Sequence, residues 1–413
     1  MRLRVLLSEG SSTSAREAVT VLGLAGHHVE ICDPSPWCLA RFSSFVRKFH
    51  HCPGLRDDPA GYLGFILKLL ASGRFDVLLP THEQGFLFAR VRDRIPADVH
   101  VALPDFASYR TALSKAGFCR LLDELALPQP QTSIVASEAA LRAAARLPCV
   151  LKTAIGTASR GIWFVQDQSE LDRAVRELNA SGSLADGVLV QDFIAGTTEK
   201  AQGVFCRGRL VGFHAFRRLA PGAGGGEAIK ESVARPHARA MLARIGAHLA
   251  WHGGLSVDYL MPEAGARPLL IDCNPRVVEP MSAYLAGTDL ITPLLGISLG
   301  ETPDALPESR AGVKTRLAMQ ALLGCAAHGG SRRELLRACG RLMAESGPYE
   351  NTFEELTPVR LDWLGAVPLS ATALLLLASP SAAQRLARSG FGAHLLDRES
   401  IARIERDDFA AAL

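Results

Sequence analysis

Short apolar stretches alternate with amphipathic stretches over the first hundred or so residues of the chain. The run VLL at 5–7 predicts a strand, the stretch from Ala15 to Ala25 predicts a helix, and HVEIC at 28–32 predicts a second strand. Further along, GYLGFILKLLASG at 61–73 has the pattern of an amphipathic helix, and FDVLLP at 75–80 has that of a third strand. This alternation implies a parallel sheet with helices packed on its faces.

Two polar loops follow strands of this predicted sheet. SEGSSTS at 8–14 comes after the first strand, and PTHEQG at 80–85 comes after the third. Because strand-terminal loops of such sheets face a shared crevice, both loops are placed to meet a ligand. SEGSSTS offers backbone N–H groups at a helix start, as a phosphate loop does, but it lacks a GxGxxG or GxxxxGK[ST] motif. A helix N-cap is the simpler interpretation.

After Pro148 the pattern changes to short β-rich runs. CVLKT and GIWFVQ are separated by AIGTASRG at 154–161, which predicts a hairpin with a flexible tip. Two helical stretches precede them, FASYRTALSKAGFCRLLDELAL and SEAALRAAARL. Further antiparallel strands are predicted in DGVLVQDFI, AQGVFCRGRLVGFHAFRRL and GLSVDYLMPEAGARPLLIDCNPR, with turns at 207–208 and 263–265. The middle of the chain is therefore predicted to be a strand-rich α+β unit.

Later segments carry structural signals without recognisable chemistry. APGAGGGE at 220–227 has four glycines in eight positions, so it is either a bare surface loop or an active-site cover that becomes ordered on binding. From about 311 onward the pattern is helical again. The apolar stretch at 366–378 is interrupted by Pro368 and is too short to span a bilayer, so a core or interface helix is expected. The C-terminal region could cap the rest of the chain or mediate self-association.

Composition excludes several classes of protein. A chain of 413 residues with 48% hydrophobic and 21% charged residues predicts two or three folded domains. The 45 basic and 42 acidic residues are interspersed, which gives no support for nucleic acid as a partner. The N-terminus has no long apolar region or cleavage site of a signal peptide, and no membrane partner is expected. Nine cysteines without a CxxC pair do not predict a disulfide framework, so a reducing, cytoplasmic location is expected.

Charged residues with a shared chemistry occur at both ends of the middle unit. Lys152 ends the CVLK strand directly before the Gly/Ser loop, and Lys115 lies in the preceding helical region. Two ammonium groups beside such a loop can neutralise a polyphosphate. At the other end, Asp258 lies in SVDYL, while Asp272 and Asn274 in IDCNPR alternate with apolar neighbours and therefore share one face of their strand. These oxygen ligands suit magnesium.

Arg276 follows two residues after Asn274 and could bind a carboxylate or a phosphoryl group. Each of these residues also has a simple structural interpretation. Asp258 could bond a neighbouring backbone group, and Arg276 could pair with Glu279. The set as a whole favours a site, because carboxylates that point into a protein interior are costly unless a cation or hydrogen-bond donors meet them.

The order of these elements resembles the ATP-grasp superfamily, whose members activate a carboxylate as an acyl phosphate and pass it to a nucleophile. The resemblance covers roughly residues 1–300 and depends on an ordered set of segments, namely Lys115, VLKTAIGTASRGIWFV, VLVQDFIAG, SVDYL and LLIDCNPR. It implies an α/β parallel-sheet domain over 1–105 and an α+β ATP-grasp domain over 106–310, with subdomains of about 106–187 and 188–310. A mainly helical C-terminal region follows over 311–413.

The resemblance also implies a role for each matching residue. Lys115 and Lys152 would contact ATP phosphates, with Lys152 and Arg276 serving catalysis, and GTASRG would be a phosphate-covering loop that includes Gly156, Ser159 and Gly161. The adenine would be met by Gln191, Asp192, Phe193 and Ile194, and the ribose by Glu199. Glu199 lies one residue further from Gly196 than the usual pattern. Mg²⁺, or Mn²⁺, would be held by Asp258, Asp272 and Asn274, with Asp at the two acidic positions where Glu is usual.

The implied activity is an ATP-dependent carboxylate–amine ligase that forms an amide or peptide bond. Two alternatives stay open, a subunit of the carboxylase or carbamoyl-phosphate type and a nucleotide-binding regulatory protein without catalysis. The expected partners are a small carboxylate and an amine, amino acids among them, and a homodimer is a further expectation. The residues themselves do not identify either substrate.

Overall fold

Three β-sheets organise the chain in a computed structural model that describes residues 1–156, 161–262, 267–383, 386, 392–407 and 409. The first, here called the N-terminal sheet, has the order β3-β2-β1-β4, and all its strands are parallel. Its strands are β1 (Arg4–Leu7), β2 (His28–Asp33), β3 (Val46–His51) and β4 (Val77–Leu79). The predicted parallel sheet is confirmed.

Helices follow β1, β3 and β4 of the N-terminal sheet. Two of them were predicted, α1 (Thr13–Leu24) and α2 (Pro59–Leu70), whereas α3 (Gln84–Arg90) was not. The Ser12 hydroxyl accepts a hydrogen bond from the Ala15 N–H at 3.0 Å, so the loop after β1 is a helix N-cap, as expected. Strand β3 was not predicted, because it is an edge strand whose residues Arg47 and Lys48 are exposed and break the apolar pattern.

The second sheet, here called the small sheet, is antiparallel with the order β5-β8-β6-β7. Its strands are β5 (Thr132–Val135), β6 (Cys149–Thr153), β7 (Ile162–Val165) and β8 (Val188–Asp192), and its helices are α6 (Glu138–Ala144) and α7 (Gln168–Ala180). These elements form the small-sheet unit, residues 132–192. The predicted hairpin of β6 and β7 is confirmed. Before it lie α4 (Phe106–Leu113) and α5 (Lys115–Glu124), where Ser114 interrupts the helical stretch and caps α5.

The third sheet, here called the large sheet, has seven strands in the order β13-β12-β9-β10-β11-β14-β15. They are β9 (Thr197–Cys206), β10 (Arg209–Pro221), β11 (Glu227–Ser232), β12 (Gly253–Met261), β13 (Leu269–Asn274), β14 (Lys314–Arg316) and β15 (Thr352–Glu354). The predicted turn between β9 and β10 is confirmed, with φ of 47° at Arg207 and 86° at Gly208. The turn predicted at 263–265 lies outside the described residues.

The remaining helices are α8 (Pro236–His248), α9 (Pro280–Leu285), α10 (Ile291–Ser298), α11 (Ala318–Ala327), α12 (Arg332–Met343), α13 (Ala366–Ala378) and α14 (Arg398–Arg406). The C-terminal region is thus mainly helical, as predicted, although its strands β14 and β15 extend the large sheet. The predicted division at 105 and 310 stays a prediction. Within the described residues, the structure has no helix that combines the length and apolar character needed to span a bilayer.

The glycine-rich segment forms a packed turn between β10 and β11. The Gly222 N–H donates to the Gly226 carbonyl at 2.8 Å, and the Ala223 N–H donates to the Gln320 side chain at 3.0 Å. Gly224 and Gly225 have φ of 61° and 82°, which explains why glycine is needed there. The segment is therefore a hydrogen-bonded turn rather than a bare surface loop. Its other predicted role, as an active-site cover, stays a prediction.

Candidate active site

Lys115 and Lys152 meet the acidic end of the large sheet. The Lys115 ammonium binds Asp272 Oδ2 at 2.5 Å, and the Lys152 ammonium donates to the carbonyl of Ile271 at 2.9 Å. Both lysines are buried, with exposed fractions of 6% and 5%. Lys115 lies 157 positions before its partner in the sequence, and Lys152 lies 119 positions before its own. The fold thus brings both lysines against two neighbouring residues of β13.

The alternation of β6 explains why Lys152 points to this place. Cys149 and Leu151 enter the hydrophobic core of the small-sheet unit, so Lys152 projects from the opposite face of the strand. Lys115 is the first residue of α5, where its backbone N–H donates to the Ala154 carbonyl at 2.8 Å. This bond fixes the start of α5 beside β6, and it places both ammonium groups between the small and the large sheet.

Burial lowers the pKa of Lys152 to about 8, even though the nearby Asp272 carboxylate raises it. An ammonium group that has lost most of its water is held here without a carboxylate bonded directly to it. Such a group is available to a ligand with several negative charges, because the ligand would restore the missing electrostatic stabilisation.

The three predicted metal ligands lie on adjacent strands. In the register of β12 and β13, Asp258 is opposite Asp272 and Ser256 is opposite Asn274. Asp258 Oδ1 is buried and has no hydrogen-bond partner among the described residues. Burial raises the pKa of Asp258 to about 6, with Asp272 contributing in the same direction and Lys200 opposing it. The structure therefore holds a carboxylate that is costly to ionise.

These residues fit a divalent cation. Like charges directly opposite each other on paired strands are destabilising, and the two carboxylates here have one ammonium, from Lys115, bonded to Asp272. A cation bound by Asp258 would compensate the buried oxygen, and oxygen-only ligands are those that Mg²⁺ prefers. The assignment of Asp258, Asp272 and Asn274 as its ligands stays a prediction.

The substitution Asp258→Asn should stabilise the protein in the absence of ligands. The pKa of the Asp258 carboxyl is higher in the folded protein than in the unfolded chain, so its ionisation lowers the free energy of unfolding at pH values above the folded-state pKa. This loss shrinks as the pH falls toward the pKa of the unfolded chain. We expect the free energy of unfolding to rise by on the order of 1–3 kcal/mol at pH 7.5 and by less at pH 5. Urea denaturation at both pH values measures this. A variant less stable than the wild type at pH 7.5 would contradict the cost assigned to Asp258.

Arg276 lies beside the loops of the N-terminal sheet. Burial lowers the pKa of the His82 side chain well below its ordinary value, and the positive charge of Arg276 lowers this pKa further. Arg276 Nε is buried and has no hydrogen-bond partner within the part of the chain that the structure describes. The pairing of Arg276 with Glu279 that the sequence also allowed is not seen, since Glu279 binds Lys230 and Lys200 instead. The guanidinium thus retains donor capacity for a ligand.

The predicted adenine-contacting segment follows the end of β8. The Gln191 side chain is buried and donates to the Thr132 hydroxyl at 2.9 Å, while the Asp192 N–H donates to the Gln131 carbonyl at 2.9 Å. Phe193 is 40% exposed and Ile194 is partly buried. The structure thus joins this segment to β5, and its contacts with a base stay predictions.

Glu199 is committed to protein contacts. Its two oxygens accept hydrogen bonds from the Arg235 guanidinium at 2.7 Å each, and one of them also accepts from the Tyr259 hydroxyl at 3.0 Å. These bonds join β9, β12 and the residue that precedes α8. The role of Glu199 toward a ribose stays a prediction, and the structure shows that this carboxylate already has a structural one.

The two ends of the GTASRG loop are described, whereas Ser159 lies outside the described residues. Gly161 has a φ of 72°, and a Cβ there would stand 2.2 Å from the Thr153 hydroxyl oxygen. Only glycine fits this position without a rearrangement. Gly156 lies at the other end of the loop, next to Ile155, whose carbonyl accepts from the Thr153 hydroxyl at 2.6 Å.

A chain of buried charges extends from Asp258 across the same face of the large sheet, and the sequence reasoning missed two of its members, Lys200 and Glu355. Lys200 lies opposite Asp258 in the register of β9 and β12, and its ammonium binds Glu227 Oε1 at 2.8 Å and approaches Glu279 Oε1 at 3.6 Å. Lys200 and the buried Gln202 are two residues apart in β9 and therefore lie on the same face of the strand. This spacing of polar residues is a local signal that could have singled out Lys200.

The charge chain continues to the far strands of the sheet. Lys230 is completely buried and binds both Glu279 and Glu355, the latter at 2.5 Å. Burial raises the pKa of Glu355 to about 7, and it raises the pKa of the nearby Glu17 of α1. Glu17 Oε2 accepts from the Met281 N–H at 3.1 Å, so helix α1 is tied to α9 beside these charges.

Another group of side chains has the composition of a metal site. Glu9, Asp33 and His394 lie close enough together to share an ion. However, Glu9 accepts from the Ser11 N–H at 2.7 Å, and Asp33 accepts from the Gly10 N–H at 2.9 Å and is hydrogen-bonded to His394. Because protein donors already meet both carboxylates, we assign no metal to this group.

Comparison with known proteins identifies the fold. No protein-family model and no curated protein sequence matches the chain. The biotin carboxylase domain of Hydrogenobacter thermophilus 2-oxoglutarate carboxylase, solved with MgADP, ADP and bicarbonate, covers 76% of this chain and 73% of its own at 15% identity, with a TM-score of 0.60. N5-carboxyaminoimidazole synthetase from Staphylococcus aureus, complexed with ADP, covers 78% and 85% at 12% identity, with a TM-score of 0.59.

An L-amino acid ligase from Bacillus licheniformis covers 72% of this chain and 75% of its own at 17% identity, with a TM-score of 0.55. The chain has the ATP-grasp fold. The implied subdomains of about 106–187 and 188–310 stay a prediction, and the structure places β8 (Val188–Asp192), just beyond that division, in the small sheet. Lys152 projects from the small sheet and Asp258 and Asp272 from the large sheet, toward the space between them.

Proposed function

We propose that this chain is an ATP-dependent ligase that joins a small carboxylate to an amine through an acyl phosphate and releases ADP and phosphate. The observation that carries the proposal is the convergence of Lys115, Lys152 and Asp272 beside the unpartnered carboxylate oxygen of Asp258. Complexes of similarly folded proteins with ADP and MgADP support ATP and Mg²⁺ as ligands. The similarity to an L-amino acid ligase supports amino acids as a substrate class.

In this proposal the protein acts by positioning and by neutralising charge, as phosphoryl transfer requires. A bound Mg²⁺ would supply charge neutralisation of the phosphates, held by Asp258, Asp272 and Asn274. The Lys115 ammonium, which binds Asp272 in this structure, would turn to a phosphate oxygen once the cation takes over its carboxylate. Lys152 would bind a second phosphate oxygen, because its ammonium has no carboxylate bonded to it.

The reacting groups would lie at the Arg276 end of the site. Arg276 would hold the substrate carboxylate or the acyl phosphate through its unused donors. The carboxylate oxygen attacks the γ-phosphorus and ADP leaves, after which the amine attacks the acyl carbon and phosphate leaves. Burial of the lysines implies that water is kept from the acyl phosphate while it forms.

The proposal predicts the path of one oxygen atom. A carboxylic acid labelled with ¹⁸O in its carboxyl group should pass one labelled oxygen to the phosphate that is released, because that oxygen forms the acyl phosphate bond. We would incubate the protein with ATP, Mg²⁺, labelled amino acids and an amine pool, and analyse the phosphate by mass spectrometry. Phosphate released without the label would reject an acyl phosphate, and ATP binding without any ADP formation would favour the non-catalytic alternative.

A second candidate activity is carboxylation, in which bicarbonate takes the place of the carboxylate. The similarity to a biotin carboxylase domain solved with bicarbonate favours it. The same assay separates the two activities, since ADP formation that depends on labelled bicarbonate and transfers its oxygen to phosphate identifies carboxylation. ADP formation that depends on an amino acid in bicarbonate-free buffer identifies the ligase.

Nucleotide affinity should fall as the pH rises above about 8 in the wild-type protein. The lowered pKa of Lys152 means that its ammonium loses a proton in this range, whereas bound phosphate requires the charged form. Lys152→Arg keeps its charge, so this variant should bind a fluorescent ATP analogue with little change between pH 7 and pH 9.5. Titrations across this range test it, and parallel pH profiles in the two proteins would contradict the role given to Lys152.

Location and assembly complete the proposal. The nine cysteines are all free, which supports a cytoplasmic location. Exposed apolar side chains of the C-terminal region, among them Leu336, Met343, Trp363 and Leu374, support self-association as a homodimer. Light scattering coupled to size-exclusion chromatography measures the oligomeric state.

A further inference from the structure

The end of the chain fills the crevice where the N-terminal sheet was predicted to meet a ligand. This C-terminal segment comprises residues 392–407 and 409. His394 hydrogen-bonds to Asp33 at 3.1 Å, with exposed fractions of 1% and 0%, and the Leu396 N–H donates to Glu83 Oε2 at 2.5 Å. The loops at the carboxyl edge of the sheet thus meet the protein itself.

The C-terminal segment is firmly attached to the N-terminal part of the chain. Ile401, Ile404 and Phe409 are buried in the same hydrophobic core as Leu63 and Phe88 of α2 and α3. A backbone bond of 3.0 Å joins Arg56 to Ala393, and an ion pair of 2.8 Å joins Arg94 to Asp407. These contacts combine apolar burial with several hydrogen bonds, so the segment moves with the N-terminal sheet.

The contact of the same segment with the small-sheet unit is of a different kind. The Arg398 guanidinium binds Asp186 Oδ2 at 3.0 Å and donates to the Gly182 carbonyl at 3.2 Å. Arg398 is 58% exposed and Asp186 is 33% exposed. Next to this contact lies a cavity of about 480 Å³, whose lining includes Leu395 of the segment and both Gly156 and Gly161 of the small-sheet unit. The connection is therefore polar and partly open to solvent.

The burial of the site makes a movement of the small-sheet unit necessary. Lys115 and Lys152 are about one-twentieth exposed and lie against β13, so a triphosphate reaches them only when the small and large sheets separate. Any contact that holds the small-sheet unit in place therefore opposes the entry and release of nucleotide.

We propose that the C-terminal segment is a latch that holds the small-sheet unit closed through Arg398 and thereby slows nucleotide exchange. The inference rests on the proposed function for its consequence, because nucleotide exchange presupposes a nucleotide site. The C-terminal segment is held in the N-terminal crevice by buried contacts of His394 and Leu396, and it holds the small-sheet unit by the exposed ion pair of Arg398 with Asp186. Because the ion pair is the weaker of these contacts, it breaks first.

The size of the effect follows from the exposure of this ion pair. Exposed ion pairs change equilibria modestly, so loss of the Arg398 contact should raise the open population and the rate of ADP release by up to about fivefold. Salt should have the same effect, because it screens exposed charges, and the difference between wild type and a latch variant should shrink at about 1 M salt.

The test uses the full chain and measures the latch independently of nucleotide. Dyes attached through non-natural amino acids at Ala71 and Ala139, both exposed, report the distance between the N-terminal part and the small-sheet unit. Arg398→Glu should lengthen this distance, and Arg398→Glu combined with Asp186→Arg should restore it. Arg406→Glu is the matched control, because Arg406 is exposed on the same helix about 12 Å further along.

A second measurement on the same variants follows the release of a fluorescent ADP with Mg²⁺. Faster release in Arg398→Glu, with recovery in the charge-swapped double variant, supports the latch. An unchanged distance in Arg398→Glu overturns it, as does a changed distance with unchanged ADP release. If the wild type binds no nucleotide, the proposed function fails, and the distance measurement alone decides whether the segment holds the small-sheet unit.

Discussion

Replacing Asp272 with asparagine should lower the rate of ADP formation by about 10²–10³-fold. The substitution removes a charge that binds the Lys115 ammonium at 2.5 Å and that lies opposite Asp258 in the strand register. The amide keeps the shape of the side chain, so the loss concerns the cation and the lysine rather than packing. A coupled assay of ADP release at saturating ATP and Mg²⁺ measures the effect.

Asp304→Asn is the matched control for this substitution, since Asp304 is exposed and the change in charge is the same. We expect this control to keep the wild-type rate. An Asp272→Asn protein that folds and retains more than half of the wild-type rate would remove Asp272 from the site. A change in the Mg²⁺ concentration needed for half-maximal rate would separate a loss of cation binding from a loss of phosphate positioning.

Replacing Lys230 with methionine should destabilise the protein by about 3–5 kcal/mol, because it leaves buried carboxylates without their counter-ion. Lys230 has no exposed surface, and its ammonium binds Glu279 and Glu355. Burial alone would lower the pKa of Lys230, but these carboxylates outweigh it and the pKa is raised. The ammonium is thus a charged structural element of the sheet face next to the site.

Urea denaturation followed by tryptophan fluorescence measures this loss, with Lys48→Met at an exposed position as the control. The double variant Lys230→Met, Glu355→Gln should recover part of the stability, because it removes the charge of Glu355, whereas Glu279 keeps its contact with Lys200. The loss should also be larger at pH 8 than at pH 5.5, since carboxyls with a raised pKa cost stability only when ionised. A loss below about 1 kcal/mol would contradict the burial of the charge.

The patterns that the sequence predicted correctly are local ones. Asp272 and Asn274 share a face because side chains alternate along a strand, and the turn at Arg207 and Gly208 is indicated by the glycine, which accepts positive φ readily. The parallel N-terminal sheet followed from the order of its apolar runs. Strand β3 escaped notice, since its polar residues at the sheet edge satisfy no apolar alternation.

The features that the sequence did not predict depend on contacts between distant residues. Lys200 faces Asp258 only because β9 pairs with β12, and Lys230 reaches Glu355 across 125 residues. His394 reaches Asp33 across 361 residues and fills a crevice that the strand order had assigned to a ligand. These contacts depend on how the strands pair and on where the C-terminal segment packs against the rest of the fold. A single sequence contains no local signal for either.

The central claim is that a divalent cation and a triphosphate bind between the two lysines and the carboxylates of the large sheet. Crystals grown with Mn²⁺ and a non-hydrolysable ATP analogue test it directly through the anomalous signal of the metal. We expect a peak at coordination distance, about 2.1 Å, from oxygens of Asp258 and Asp272, with Lys115 turned from Asp272 to a phosphate. A nucleotide bound on another surface, or a metal peak that neither aspartate touches, would contradict it.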